Sequence, residues 1–195
     1  MPNICSFSLK VKGKKNNVDT FIKIMQCEYD CQKNEFSYGA HFSRIFDAYV
    51  ESIVEVDGET YAVISGSCAW SVYSCMFSGT HTYYDDFCEE DNRVTHIEEI
   101  TSLYDLVVEI YSEEPGCCFQ EHYIVDAGSI LESETVNYYV YYYDGEYDEE
   151  LGTVMTEEHV KRFNEEYETT YTLEDYNEDM EAFVDGGFGE WLFSF

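Results

Sequence analysis

The sequence predicts an α+β protein: a mostly antiparallel sheet backed by helices, followed by acidic C-terminal helices. Three observations predict it. Apolar and polar residues alternate with period two in several stretches between residues 5 and 143. Between those stretches, apolar residues recur at i, i+3, i+4 and i+7, the spacing of short amphipathic helices. Finally, Asp144–Glu190 holds 17 acidic side chains against two basic ones, Lys161 and Arg162, yet keeps regular apolar spacing. Strands joined by hairpin-type turns, with helices interspersed, belong to the α+β class. A chain of 195 residues fits a core over 1–143 and an acidic helical extension over 144–195 packed on it.

Cys5, Phe7, Leu9 and Val11 alternate with Ser6, Ser8, Lys10 and Lys12, a half-buried strand that ends at Gly13. Val18, Phe21, Ile22 and Met25, behind Asn16-Asn17, give a short helix. Residues 27–46 have no dominant period and contain loop. Tyr49–Val56 and Glu59–Ser65 form a hairpin across Asp57-Gly58, a strong turn signal, and 66–72 extends its second strand past a bulge. Thr95-His96-Ile97-Glu98 has capping-box spacing and opens a helix to about Tyr104, with Ile97, Ile100 and Leu103 or Tyr104 inward. Residues 105–112 alternate as a strand. Glu113-Glu114-Pro115-Gly116 is turn chemistry, with a strand over 118–125 behind it. After Asp126-Ala127-Gly128 a Tyr-rich strand runs to Tyr143.

Two acidic helices close the chain. Thr156 caps the first, with Val160, Phe163 and Tyr167 inward and Glu157, Glu158, Glu165, Glu166 and Glu168 outward. In the second, Leu173, Tyr176, Met180, Phe183 and Val184 fall in an arc of roughly 100°. Glu174, Asp175, Glu178, Asp179, Glu181 and Asp185 fill the opposite side, and Thr172 with Asp175 approximates a capping box. The like-charge pairs at i, i+4 on that face each cost roughly 0.2–0.5 kcal/mol, so the acids do not serve folding. At a rise of 1.5 Å per residue they give about one charge per 3 Å. One strand of B-DNA carries about one phosphate per 3.4 Å. The apolar tail 186–195 folds back onto the body, since an exposed tail of that composition is adhesive.

Charge narrows the function. Residues 1–33 carry net +3 and residues 34–195 net −34, for −31 overall. Such a surface repels phosphate, so direct binding to nucleic acid or to an anionic membrane is not expected, and the natural partners are basic surfaces. No leader-like or membrane-length apolar run occurs, which makes the cytoplasm of an infected bacterial host the expected location. Eight cysteines in such a chain are expected to be free thiols. Halophilic adaptation is a rival source of acidity, but eight Cys, 19 Tyr and 13 Phe fit it poorly.

Met1-Pro2-Asn3-Ile4-Cys5, followed by Leu9, Val11 and Gly13, resembles the opening of the YubB-like ferredoxin-like proteins of phages and plasmids. So do Cys68-Ala69-Trp70-Ser71-Val72 and the strand running into Glu113-Glu114-Pro115-Gly116 with Phe119 behind it. The resemblance covers about 1–143. The chain departs from the family at Ile4, where the family has Trp, and at Phe7, where it has Asn. What the resemblance implies is a ferredoxin-like core and a mobile-element origin, with no catalytic residues to carry over. By charge alone, the chain is also similar to the DNA-mimic inhibitors that phages and plasmids use against nucleases.

The remaining chemistry is sparse. Asp144-Gly145-Glu146-Tyr147-Asp148 begins like a calcium loop, but Glu149 stands where Gly is needed and Met155 where Glu is. Cys27 and Cys31 could form half a zinc site, with no second pair at finger-like spacing. Cys68 or Cys75 with His81 or His96 could pair as nucleophile and base, but no catalytic signature surrounds them. No enzyme activity, cofactor or metal is therefore expected. The expected function is inhibition of a host defence nuclease by nucleic-acid mimicry, an RNA-guided CRISPR effector first and a restriction enzyme second. Its contact surface would comprise the carboxylates of the two acidic helices together with Asp144, Glu146, Asp148, Glu149 and Glu150. Asp85, Asp86, Glu89, Glu90 and Asp91 would form a second patch. The alternative is an accessory or structural phage protein whose acidity serves solubility.

Overall fold

The computed structural model describes residues 3–30, 35–78, 94–142, 155–177 and 182–195. The chain divides into two compact units, Met1–Val136 with Glu190–Phe195 and Asn137–Gly189.

Unit 1 is an antiparallel sheet. Its strands are β1 (Ile4–Gly13), β4 (Ile45–Val56), β5 (Glu59–Ala69), β6 (Val107–Glu114), β7 (Phe119–Asp126) and the first half of β8 (Ser129–Tyr142). They lie side by side in the order β4-β5-β1-β6-β7-β8. Two short strands, β2 (Tyr29–Asp30) and β3 (Glu35–Phe36), pair with each other. β1 sits between β5 and β6, and its alternation sends Cys5, Phe7, Leu9 and Val11 into the core. Packed onto that same core are α1 (Lys15–Met25), α2 (Val72–Met76) and α3 (Ile97–Tyr104), through Val18, Phe21, Met76, Ile97 and Ile100. Each large apolar side chain buried there contributes about 1.5–3 kcal/mol. The opposite face carries Ser6, Ser8, Lys10 and Lys12 of β1 and is partly covered by residues 190–195.

Several sequence expectations hold in unit 1 and others need correction. The first helix and the Asp57-Gly58 hairpin form where expected. The bulges, however, lie on β4, between Ile45 and Asp47 and between Val50 and Ser52, while Gly66 of β5 stays in regular register. The reason is close approach: a Cβ on Gly66 would lie 2.3 Å from the Asp47 carbonyl oxygen and 2.6 Å from the Phe7 ring. The Thr95–Glu98 box is not made. His96 holds the cap position, Glu98 accepts from the Ser78 amide and hydroxyl, and Thr95 donates to Glu99. Tyr104, not Leu103, packs against the core. Val72 belongs to a helix rather than a strand because Ser71 caps it, accepting from the Ser74 amide at 3.0 Å. Cys117 and Cys118 lie in the β6–β7 turn and not on a strand.

Unit 2 pairs the second half of β8 with β10 (Ala182–Gly186), and β10 with β9 (Tyr176–Asn177), beside α4 (Glu157–Tyr167). Its core is Val160, Phe163 and Phe183, with Tyr141, Met155, Tyr171 and Tyr176 packed around them. The second acidic helix is the main correction. Leu173–Asp175 is a single 3-10 turn, and β9 and β10 occupy positions expected to be helical. The Thr172 start signal is real, since its amide and hydroxyl both donate to Asp175 at 2.6 and 2.8 Å. A continued helix would stack like charges at i, i+4. Phe183 is instead fully buried in the strand, 4.7 Å from the Phe163 ring and 4.8 Å from that of Tyr171. Leu173 and Val184, expected inward, are exposed. So is about half of Tyr167, although its ring stacks on Phe163.

Candidate partner-binding surface

α4 is built from a strong start. The Thr156 hydroxyl accepts from the His159 amide, and His159 Nδ1 accepts from the Thr156 amide at 3.1 Å, a reciprocal capping box. A cap of this kind stabilises by about 1 kcal/mol. His159, Val160 and Phe163 face inward, and Glu157, Glu158, Glu165, Glu166 and Glu168 are exposed. Glu157 and Glu158 complement the positive end of the helix dipole. Glu165, Glu166 and Glu168 crowd its negative end, where acid is unfavourable. Glu168 is also held in the left-handed region at φ 55°, which a non-glycine residue adopts at a cost. The Lys161–Glu165 ion pair within this helix, at 4.0 Å, is exposed and contributes little.

Glu174 and Asp175 on the 3-10 turn and Asp185 on β10 are also exposed. The Thr172 amide and hydroxyl hold the Asp175 carboxyl below its usual range, so it stays ionised. Between α4 and residues 169–174 runs an open groove of about 830 Å³. Val160, Tyr171 and Leu173 supply its apolar lining, and Glu157, Glu165 and Glu174 its carboxylates. Such a groove suits an Arg or Lys side chain: the stem lies on apolar surface and the cation meets carboxylate oxygens.

Eight of the expected contact residues are thus described, all exposed and all in unit 2. Asp144, Glu146, Asp148, Glu149 and Glu150, then Glu178, Asp179 and Glu181, and the patch Asp85, Asp86, Glu89, Glu90 and Asp91 lie outside the described residues. Positions 144–154 of the calcium-like loop, Cys31 and His81 lie outside them too. Among the described residues no group of three His, Cys, Asp or Glu is arranged to hold a metal ion. Cys68 and Cys75 are fully buried with Cys5. Hydrogen bonding from Cys68 lowers the Cys75 thiol to about 7, but no substrate reaches a fully buried group. No helix among the described residues is long and apolar enough to cross a membrane.

A second constellation, in unit 1, has no clear sequence signal. On the sheet face opposite the core, Glu109 is fully buried. Its Oε1 pairs with His122 Nε2 at 3.0 Å, and its Oε2 accepts from the Ser194 amide at 2.6 Å and the Ser194 hydroxyl at 2.8 Å. Tyr111 stacks on His122 with ring centroids 4.2 Å apart and on Trp191 at 5.9 Å, and meets Phe193 edge-on at 5.8 Å. Its hydroxyl donates to the Leu192 carbonyl at 3.1 Å. Burial raises the Tyr111 phenol above its ordinary value, keeping that proton in place. Lys10 donates to the Phe195 carbonyl. The only hint in the sequence is a Glu between Val108 and Ile110 in mid-strand. Its partner Ser194 is 85 residues away and unreadable from local pattern.

Searches against protein-family models, curated proteins and solved structures find no match for this chain.

Proposed function

We propose that the protein is a phage or mobile-element inhibitor of a host defence nuclease, and that it binds a basic nucleic-acid channel through the acidic face of unit 2. Carboxylates take the places of phosphates against Arg and Lys, which gives fast, steered and salt-sensitive association. An RNA-guided CRISPR effector is the first target class and a restriction enzyme the second. The observation that carries the reading is the placement of Glu165, Glu166 and Glu168. They are exposed at the helix end where acid is unfavourable, and the exposed Lys161–Glu165 pair at 4.0 Å offsets little of that cost. A surface kept against its own stability is better explained by a partner than by solubility, for which a net charge of about 2–8 in magnitude suffices. The groove beside α4 adds apolar area that plain charge matching lacks.

The test is a pull-down of defence nucleases with the tagged protein at about 0.1 M and about 0.5 M salt, followed by competition with DNA. Capture at low salt that weakens at high salt, yields to DNA and disappears in Glu165→Lys/Glu166→Lys/Glu174→Lys supports the reading. Capture indifferent to salt and DNA, or no capture, overturns it and leaves the accessory structural role.

A further inference from the structure

The last residues of the chain are held in an unusual way. Glu190–Phe195 belong to unit 1, yet none of them is fully buried, and Leu192 is 70% exposed. The groups that hold them are the opposite: Glu109 is fully buried, and Tyr111 and His122 nearly so. Those three also contact one another directly. Glu109 and His122 pair directly, Tyr111 stacks on His122 almost parallel, at 16°, and Glu132 Oε2 approaches His122 Nδ1 at 3.6 Å. An acceptor set braced by its own contacts, facing a segment that stays lightly buried, has the anatomy of a receptor and its ligand.

We propose that Lys10, Glu109, Tyr111 and His122 form a binding site for an extended aromatic peptide, and that the chain's own Trp191–Phe195 fills it as a displaceable internal ligand. The contacts define what the site takes. Tyr111 is a platform for two aromatic side chains spaced one residue apart, Trp191 and Phe193. Between them the backbone is read by the Tyr111 hydroxyl on the Leu192 carbonyl. Glu109 Oε2 then requires a residue that offers both an amide and a hydroxyl, as Ser194 does. Lys10 closes the site on the Phe195 main-chain oxygen and lies over the Phe195 ring, 5.5 Å from its centroid. The ligand class is therefore a short extended segment of the pattern aromatic–any–aromatic–Ser or Thr. Three of the four hydrogen bonds go to backbone atoms and Leu192 itself is exposed, so the leucine position is free to vary. This site is independent of the acidic surface, shares no residue with it, and stands or falls separately.

The test uses the full-length protein and a dye-labelled peptide with the sequence of residues 190–195, read by fluorescence anisotropy. In the wild type the attached tail competes at an effective concentration that can reach about the millimolar range, so free peptide binds weakly. Weakening the tail with Trp191→Ala/Phe193→Ala is expected to improve the peptide's apparent affinity by about tenfold or more. Glu109→Gln in that background should remove the gain, as should a probe with Ala in place of Ser. Equal affinity for wild type and weakened-tail protein, or a gain that survives Glu109→Gln, overturns the proposal. Loss of cooperative unfolding in Trp191→Ala/Phe193→Ala overturns it as well, because the tail would then be core. Hydrogen exchange gives a second reading: the Ser194 amide should exchange by local opening, much faster than the β1–β6 ladder amides, and equal protection would count against it.

Discussion

At Gly66 the sheet has no room for a methyl group. The nearest atoms to a Cβ there are the Asp47 carbonyl oxygen, the Phe7 ring and Ala48 Cα, and two of the three are backbone of β4. A flexible side chain could step aside; a bulged strand cannot without losing its pairing to β5. Gly66→Ala should therefore destabilise by about 1–3 kcal/mol, seen as a lower urea midpoint at unchanged slope. Wild-type stability in that variant would mean that β4 and β5 are not this close. The same scale of argument separates Glu109 and Glu121, two of the three buried glutamates of β6 and β7. Glu121 is tied into the core, accepting from the Val72 amide at 2.9 Å, the Ser112 hydroxyl at 2.8 Å and the Tyr123 hydroxyl at 3.0 Å. Glu109 instead directs half of its carboxylate at the tail.

Among the elements, unit 2 is the weak one. Among the described residues its core cluster is Val160, Phe163 and Phe183, and Phe183 is the meeting point of Phe163, Tyr171 and Tyr176. Phe183→Ala removes about 3–5 kcal/mol, which is more than so small a core can lose. Hydrogen exchange should then show protection lost across the described residues of 137–189 and retained in β1, β5 and β6. Loss throughout would mean that the two units unfold as one. Phe183 also marks where the sequence ceases to be legible. The first strand, the first helix, the Asp-Gly hairpin and α4 each have a period and a local stop or start signal that agree. In 173–185 the 100° apolar arc and the Thr172 cap agree on a helix, but Tyr176, Phe183 and Val184 suit strands equally. Burial of Phe183 decides the matter through contacts that no local window contains. The site around Glu109 is illegible for the same reason. Its strand was recognisable from alternation, but nothing local connects Glu109 or Tyr111 with Trp191 and Ser194.

For the whole molecule, the governing quantity is −31 formal charges on 195 residues. Self-repulsion of that size opposes compactness, and salt screens it, so the melting temperature should rise between about 0.05 M and about 0.5 M NaCl. Proton linkage adds two individual groups with opposite signs. Desolvation raises the Glu121 carboxyl above its ordinary 4.5, although hydrogen bonds from Ser112, Tyr123 and Val72 pull the other way. The folded state thus holds that proton more tightly than the unfolded one. Its contribution is full below pH 4.5 and is lost as pH rises through the folded value. Asp175 is depressed below 3.8, so its contribution is present above that value and is lost as pH falls through the folded one. Stability should therefore fall as pH climbs above 4.5, in two separable parts. High salt should remove the part that comes from general repulsion. The part due to Glu121 should persist in salt, because desolvation of a buried carboxylate is not screened, and should vanish in Glu121→Gln. Melting curves of both proteins from pH 4.5 to 8, at low and high NaCl, test this directly. If salt alone abolishes the decline in the wild type, Glu121 is ionised at no cost inside the fold, and its burial must be offset by the three hydrogen bonds it accepts.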